Sequence, residues 1–242
     1  MYGYRARIGY TSPPVVTEVF PYEFYKIVPD GVTLAINTLV VNNATPEELQ
    51  ASYDLSVQVA QKMGKAGVDL IVLGGVPINL CRGVDKVDDL IKSVEKSVGV
   101  PVTTSVTAQL NALRRLGTRK IGLVATNTSS AMDWQFLQHA GYEIVAITDV
   151  PGLPALNDLG KATSKMSMDR ARELKRAYPQ VDTLYFPCPH RPTVDMIQEV
   201  EDDLNVNVVT ASQAIIWEAL RRCKINDPIP GYGRLFRNLE AD

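Results

Sequence analysis

The chain has 242 residues, enough for one large domain or two small ones. Its 45% hydrophobic and 21% charged composition is that of a globular protein with a real core and argues against disorder. The 25 Lys and Arg against 27 Asp and Glu give a net charge of −2, so no basic excess points to nucleic acid as a partner. No apolar run approaches the ~20 residues of a membrane helix. The opening MYGYRARIGYTSPP lacks a signal-peptide core, so the cytoplasm is the expected location, with no membrane partner. Three scattered cysteines, Cys81, Cys188 and Cys223, do not make a disulfide framework. Two histidines, His139 and His190, exclude a His-rich metal site, and no metal or cofactor is expected.

Along the chain, Arg5–Thr11 and Val32–Ile36 read as strands. Pro46–Ala66 is a long amphipathic helix with Thr45 as its N-cap. The apolar run Val68–Leu73 suits a buried parallel strand. Val87–Val98 is helical, Val100–Thr104 a strand, and Ala108–Leu116 a helix that Gly117 can stop. Strands are expected at Lys120–Ala125, Glu143–Ile147, Asp182–Phe186 and Val206–Val209. Helices are expected at Asp169–Ala177, Thr193–Leu204 and Gln213–Cys223. Gly152–Asn157 is the most loop-like stretch, and the tail Asp227–Asp242, rich in Pro and Gly, is expected to pack as irregular structure. This alternation predicts an α/β fold with parallel sheets.

Self-comparison locates a site. Ile8-Gly9 recurs as Ile121-Gly122, and Val68-Asp69 as Val181-Asp182, both at an offset of 113. VDLIVLGGVP from Val68 then aligns without a gap on VDTLYFPCPH from Val181. VEKSVGVPV from Val94 matches VEDDLNVNV from Val200 at an offset of 106, which leaves about seven extra residues in the first half, expected near Cys81–Asp85. The expected fold is two similar Rossmann-like α/β units related by a pseudo-two-fold, with the active site in the cleft between them. The expected division is 1–116 plus 212–242 against 117–211. Ligands bind at the carboxyl ends of parallel strands. There Gly75 aligns with Cys188, and Thr11-Ser12-Pro13-Pro14 with Val124-Ala125-Thr126-Asn127.

Several segments resemble the Asp/Glu racemase superfamily, in its maleate isomerase and arylmalonate decarboxylase branch. They are IGYTSPP (8–14), PDGV (29–32), TPEEL (45–49), the stretch from Gly75 to Cys81-Arg82-Gly83, LNALRRLG (110–117), Cys188 and GYGRLF (231–236). In racemases and isomerases of this kind each half supplies a cysteine after the equivalent strand; in the decarboxylases a glycine replaces the first. Gly75 and Cys188 resemble the decarboxylase pattern, as does Pro13-Pro14. The resemblance implies Cys188 as the catalytic residue, a small carboxylic acid as substrate and no cofactor. It departs at Val76 and Pro77, where the decarboxylases have hydroxyl residues, and at Pro189 and His190, where they have glycines. A tyrosine common near Asn127 is absent. Prolines at 77 and 189 also remove two backbone donors.

A thiol can perform this chemistry alone. Decarboxylation of a malonate-type, for instance aryl-substituted, diacid leaves an enediolate, and Cys188 would protonate its carbon on one face. Donors expected around it are Thr11, Ser12, Thr126, Asn127, Thr128 and the backbone N–H groups of Gly75 and Val76. Pro14, Val76 and Pro77 would form an apolar wall. The alternative is cis–trans isomerisation of maleate, with Cys188 adding as a thiolate favoured by a helix N-terminus and a protonated His190. A two-base racemase is disfavoured because Gly75 cannot transfer a proton. An inactive small-carboxylate-binding protein on the same scaffold is the reading from another class. An NAD enzyme is disfavoured because no GxGxxG follows the first strand. Cys81 and Cys223 read as structural, Tyr2, Tyr22 and Tyr25 as structural or lid residues, and His139 as a helix surface residue. An isologous homodimer would suit such a chain.

Overall fold

The computed structural model describes residues 2–126 and 134–237. The first half holds four strands, β1 (Ala6–Pro14), β2 (Val32–Val41), β3 (Leu70–Leu73) and β4 (Val102–Thr104). They form a parallel sheet in the order β2-β1-β3-β4. The second half repeats the order with β5 (Lys120–Ala125), β6 (Glu143–Asp149), β7 (Thr183–Phe186) and β8 (Asn207–Thr210), arranged β6-β5-β7-β8. The helices of the first half are α1 (Val19–Ile27), α2 (Pro46–Lys65), α3 (Val76–Leu80), α4 (Val87–Val98) and α5 (Ser105–Arg115). Those of the second are α6 (Gln135–His139), α7 (Ser164–Ala177), α8 (Ile197–Leu204) and α9 (Ala211–Arg222). The fold is therefore α/β with two four-stranded parallel sheets, as the alternation predicts.

The repeat reaches individual hydrogen bonds. Asp69 accepts from the Arg7 N–H at 2.7 Å, and its counterpart in the repeat, Asp182, accepts from the Lys120 N–H at 2.9 Å. Each carboxylate ties the start of the central strand to its neighbour. Glu95 accepts from Val102 N–H at 2.9 Å, and Glu201 from Val208 N–H at 3.0 Å, linking each helix to the next strand. Thr104 and Thr210 each cap the following helix by accepting from the N–H three residues on. Gly9 and Gly122 lie where a Cβ would strike Met63 and Leu174, so both central strands let a helix pack closely. The seven extra residues are not gathered at 81–85. Helices α4 and α8 begin at Val87 and Ile197, an offset of 110, and end on left-handed caps at Gly99 and Asn205, an offset of 106. Four of the seven thus lengthen α4 by one turn, and three lie before it.

The two halves share one apolar core. Helix α5 packs on α9 and reaches β8, while α9 reaches back to β3, so each half lends its last helix to the other's sheet. Asn111 on α5 donates to Glu218 on α9 at 3.1 Å, and Arg222 holds the same carboxylate at 2.7 Å. The GYGRLF segment is a strap. Gln213 donates to the Tyr232 carbonyl at 2.8 Å, the Tyr232 hydroxyl donates to the Lys26 carbonyl at 2.8 Å, and Arg234 N–H donates to Glu201 at 2.7 Å. That motif serves assembly of the halves and lies away from the strand ends. No helix among the described residues is long and apolar enough to cross a membrane.

Candidate active site at the paired strand ends

A cavity of about 240 Å³ opens where the carboxyl ends of the two sheets face each other. Pro13, Gly75, Val76, Pro77 and Ile78 line it from the first half, and Thr126, Pro187, Cys188, Pro189 and His190 from the second. Val41, Leu49 and Leu156 add an apolar end, and Ser105 and Gln109 a polar one. No Asp, Glu, Lys or Arg lines it, so a substituent entering from the Val41–Leu156 side meets hydrocarbon.

Each wall has a local cause. Gly75 ends the segment after β3 at φ +86°, a left-handed conformation, and a Cβ there would come within 2.6 Å of Pro13. Next to it the Gly74 N–H donates to the Thr11 hydroxyl at 2.9 Å, pinning the turn to β1. The Val41–Ala44 wall is shaped by Glu48, which accepts from the N–H groups of Asn43 and Ala44, each at 2.8 Å. These bonds hold its carboxyl below the usual range. At the mouth, Asn157 accepts from Val16 N–H at 3.1 Å and donates to Asn42 at 3.3 Å, tying a loop of the second half across two loops of the first.

The polar residues around Cys188 are unusually buried. Cys188 itself is half-buried, two residues beyond β7. His190 is 5% exposed, and neither ring nitrogen has a hydrogen-bond partner. Burial pushes its pKa down to about 3, so the ring is neutral. Ser105, 2% exposed, places its hydroxyl at the start of α5 against the buried Tyr10 hydroxyl. Gln109 accepts from the Tyr185 hydroxyl and donates to the Ser105 carbonyl at 2.8 Å. Behind the thiol lie a buried cation, Arg191, and a buried carboxyl, Glu23. Arg191 donates to the carbonyls of Val124 (2.8 Å) and Ala125 (3.1 Å), and Glu23 accepts from the N–H groups of Thr193 (2.6 Å) and Val194 (3.0 Å).

The site expected from the sequence is only partly assembled here. The structure brings Cys188, Gly75, Val76, Thr126 and His190 to the cavity, together with Pro77. Ser12 and Pro14 are not among its lining residues: Ser12 is buried and shares a 2.6 Å hydrogen bond with Thr17, and Pro14 is buried at a register shift of β1. Side chains of a strand alternate, so the lining residue is Pro13 between them. Thr11 likewise spends its hydroxyl on Gly74. Asn127 and Thr128 lie outside the described residues. A protonated His190, expected as an aid to the thiolate, is corrected by its burial. Cys81 lies beside the Val41–Ile78 cluster, Cys223 is held up to about 11 by burial, and His139 is exposed. Tyr25 accepts from Leu34 N–H at 3.1 Å, a structural role, while Tyr2 and Tyr22 are exposed. Reading the sequence missed Arg191, Glu23, Ser105 and Gln109. A signal for Arg191 existed: at the repeat offset of 113 it aligns with Ile78, a core position of the first half.

Paired parallel sheets with one thiol at their facing ends define an α/β enzyme of the Asp/Glu racemase type. Residues 8–236 match the arylmalonate decarboxylase family, and the chain belongs to it. It is 32% identical to arylmalonate decarboxylase of Bordetella bronchiseptica over 237 residues, 95% of each protein. It is 22% identical to maleate isomerase of Geobacillus stearothermophilus over 200 residues, covering 80% of this chain and 79% of that one. Among solved structures, a double variant of arylmalonate decarboxylase in its liganded form superimposes with a TM-score of 0.87 and 27% identity, covering 96% of this chain and 98% of that one. These relatives are a decarboxylase and an isomerase, so the chain belongs with enzymes of these two kinds.

Proposed function

We propose that the chain is a decarboxylase of malonate-type dicarboxylic acids bearing an apolar substituent, such as an aryl ring, with Cys188 as the proton donor. The observation that carries this reading is the pairing of Cys188 with Gly75 across an apolar-walled cavity. One thiol suffices to protonate carbon on one face, whereas proton exchange on both faces needs a second acid or base. Loss of CO2 leaves its bonding pair on the substrate as an enediolate. The Cys188 S–H proton then passes to carbon, and water restores the thiol. Prolines at 77 and 189 leave the developing charge to side-chain donors. Neutral His190 is buried, lacks a hydrogen-bond partner and lines the cavity, and the hydroxyls of Ser105 and Thr126 stand beside it. A cavity of about 240 Å³ suits a small acid, being below the ~300–1,000 Å³ usual for ligand pockets.

A maleate-type isomerase is the second reading, favoured by the buried Arg191, which would help Cys188 act as a thiolate nucleophile. Proton NMR in D2O with phenylmalonate, methyl-phenylmalonate and maleate separates the two. Deuterated monoacid from the malonates, lost in Cys188→Ala, is expected. Fumarate from maleate with inert malonates would overturn the decarboxylase reading.

A further inference from the structure

Arg191 is the largest charged side chain in the interior, fully buried, and the two reactions above do not by themselves require it. Its position in the repeat makes its charge conspicuous: the first half buries Ile78 at the equivalent place. Both terminal nitrogens donate to backbone carbonyls at the end of β5, the strand next to the one that delivers Cys188. Its Nε has no hydrogen bond, and among the described residues no carboxylate lies within ion-pair distance. Carbonyl dipoles hold the group in place but supply no formal counter-charge. The guanidinium also stands 5.5 Å over the Phe186 ring, at the end of β7.

Few other charges among the described residues reach this place. From α1 comes Glu23, whose Oε1 takes the Thr193 and Val194 N–H groups; burial raises its pKa, and hydrogen bonds from Ser212, Thr193 and Val194 oppose that rise. From β1 comes the Tyr10 hydroxyl, buried and facing Cys188. His190, on the same loop, is neutral. Asp195 acts on Glu23 but is itself paired with Lys26 at 2.7 Å on the surface. Arg191 interacts electrostatically with both Cys188 and Glu23. A charge at sulfur raises the pKa of Arg191, which burial pulls down to about 10.

We propose that Arg191 is a positioning residue for Cys188, the fixed counter-charge that stabilises its thiolate, and that Glu23 tempers that charge. The inference rests on the decarboxylase reading for its role in turnover. When the S–H bond breaks and the C–H bond forms, the S–H electron pair stays on sulfur, and Arg191 lowers the energy of the thiolate so produced until water returns a proton. The same cation would serve a nucleophilic thiolate.

The test is the pH dependence of iodoacetamide alkylation at each cysteine, read by peptide mass spectrometry on the intact protein. It needs no substrate, so failure of the decarboxylase reading leaves its result standing. Cys81 and Cys223 report in the same digest whether the fold is kept. Arg191→Met should raise the Cys188 midpoint by about one pH unit or more, and Arg191→Lys by less. Glu23→Gln should lower it, because the cation is then uncompensated. Opposite signs for the two sites are not produced by loosening of the fold. If Arg191→Met exposes Cys81 and Cys223, Glu23→Gln decides. A Cys188 midpoint unchanged or raised in Glu23→Gln, or unchanged in a folded Arg191→Met, overturns the proposal.

Discussion

The two halves are built alike and finished differently. Below the strand ends they share the same devices: Asp69 and Asp182, Glu95 and Glu201, Thr104 and Thr210, Gly9 and Gly122. Just beyond β3 and β7 they diverge at every aligned position from 74 to 78 against 187 to 191. The first half turns on Gly75 into a short helix and buries Ile78; the second presents Cys188 and buries His190 and Arg191. A duplicated scaffold thus holds two loops at one cavity, one supplying reactive and polar groups and the other a close-fitting apolar wall. Chemistry is concentrated on one side, as the proposed delivery of a proton to one face requires.

The largest break in this asymmetry is Cys188→Ala, which should lower turnover of a competent substrate by at least about 10³-fold with an unchanged melting temperature. His190→Gln tests the buried polar side through pH. The His190 pKa falls from 6.5 to about 3 on folding, so the neutral ring contributes stability that is full above about pH 6.5 and is lost as pH falls toward 3. Denaturant unfolding should show about 2 kcal/mol less stability at pH 5 than at pH 7 from this residue. The variant should lack that part of the slope; an identical slope would remove His190 from the account.

Gly75→Ala tests the apolar side. At φ +86° and 2.6 Å from Pro13, an added methyl group should cost about 1–3 kcal/mol in the same unfolding measurement. A neutral result would mean that the turn after β3 is not as tight as described. The smallest contrast lies in the shared scaffold. Glu201 is fully buried and holds both Val208 and Arg234 N–H groups, whereas Glu95 holds Val102 alone. Glu201→Ala should therefore cost about 2–3 kcal/mol and Glu95→Ala about 1 kcal/mol. Equal costs would show the strap at Arg234 to be idle.

Most of the scaffold was legible in the sequence because repetition and periodicity act locally. The helix Val87–Val98 falls where its pattern puts it, and the offsets of 113 and 106 anticipate the matching sheets. Helix α1 was hidden because VFPYEFYKI carries a proline and mixed aromatic spacing; Pro21 is tolerated because the first turn needs no N–H there. Helix α3 is only five residues long, with a proline near its start. At the site, the cysteine and its glycine partner could be read from the repeat, but the charge state of His190 could not. That depends on burial by elements distant in sequence, which no local pattern records. Arg191 escaped for the same reason: a cation in a loop reads as solvated until the fold closes over it. Ser12 and Pro14 lie off the cavity lining because strand alternation sends Pro13 there, a register that the repeat alone does not specify.

The central claim is that one thiol delivers the proton to one face. Its most direct test is the optical purity of the monoacid formed from methyl-phenylmalonate in D2O, followed by return of that product to fresh enzyme. The account predicts a single deuterated enantiomer that keeps its configuration on re-incubation. A racemic product, or a product that racemises in the presence of the enzyme, would contradict it.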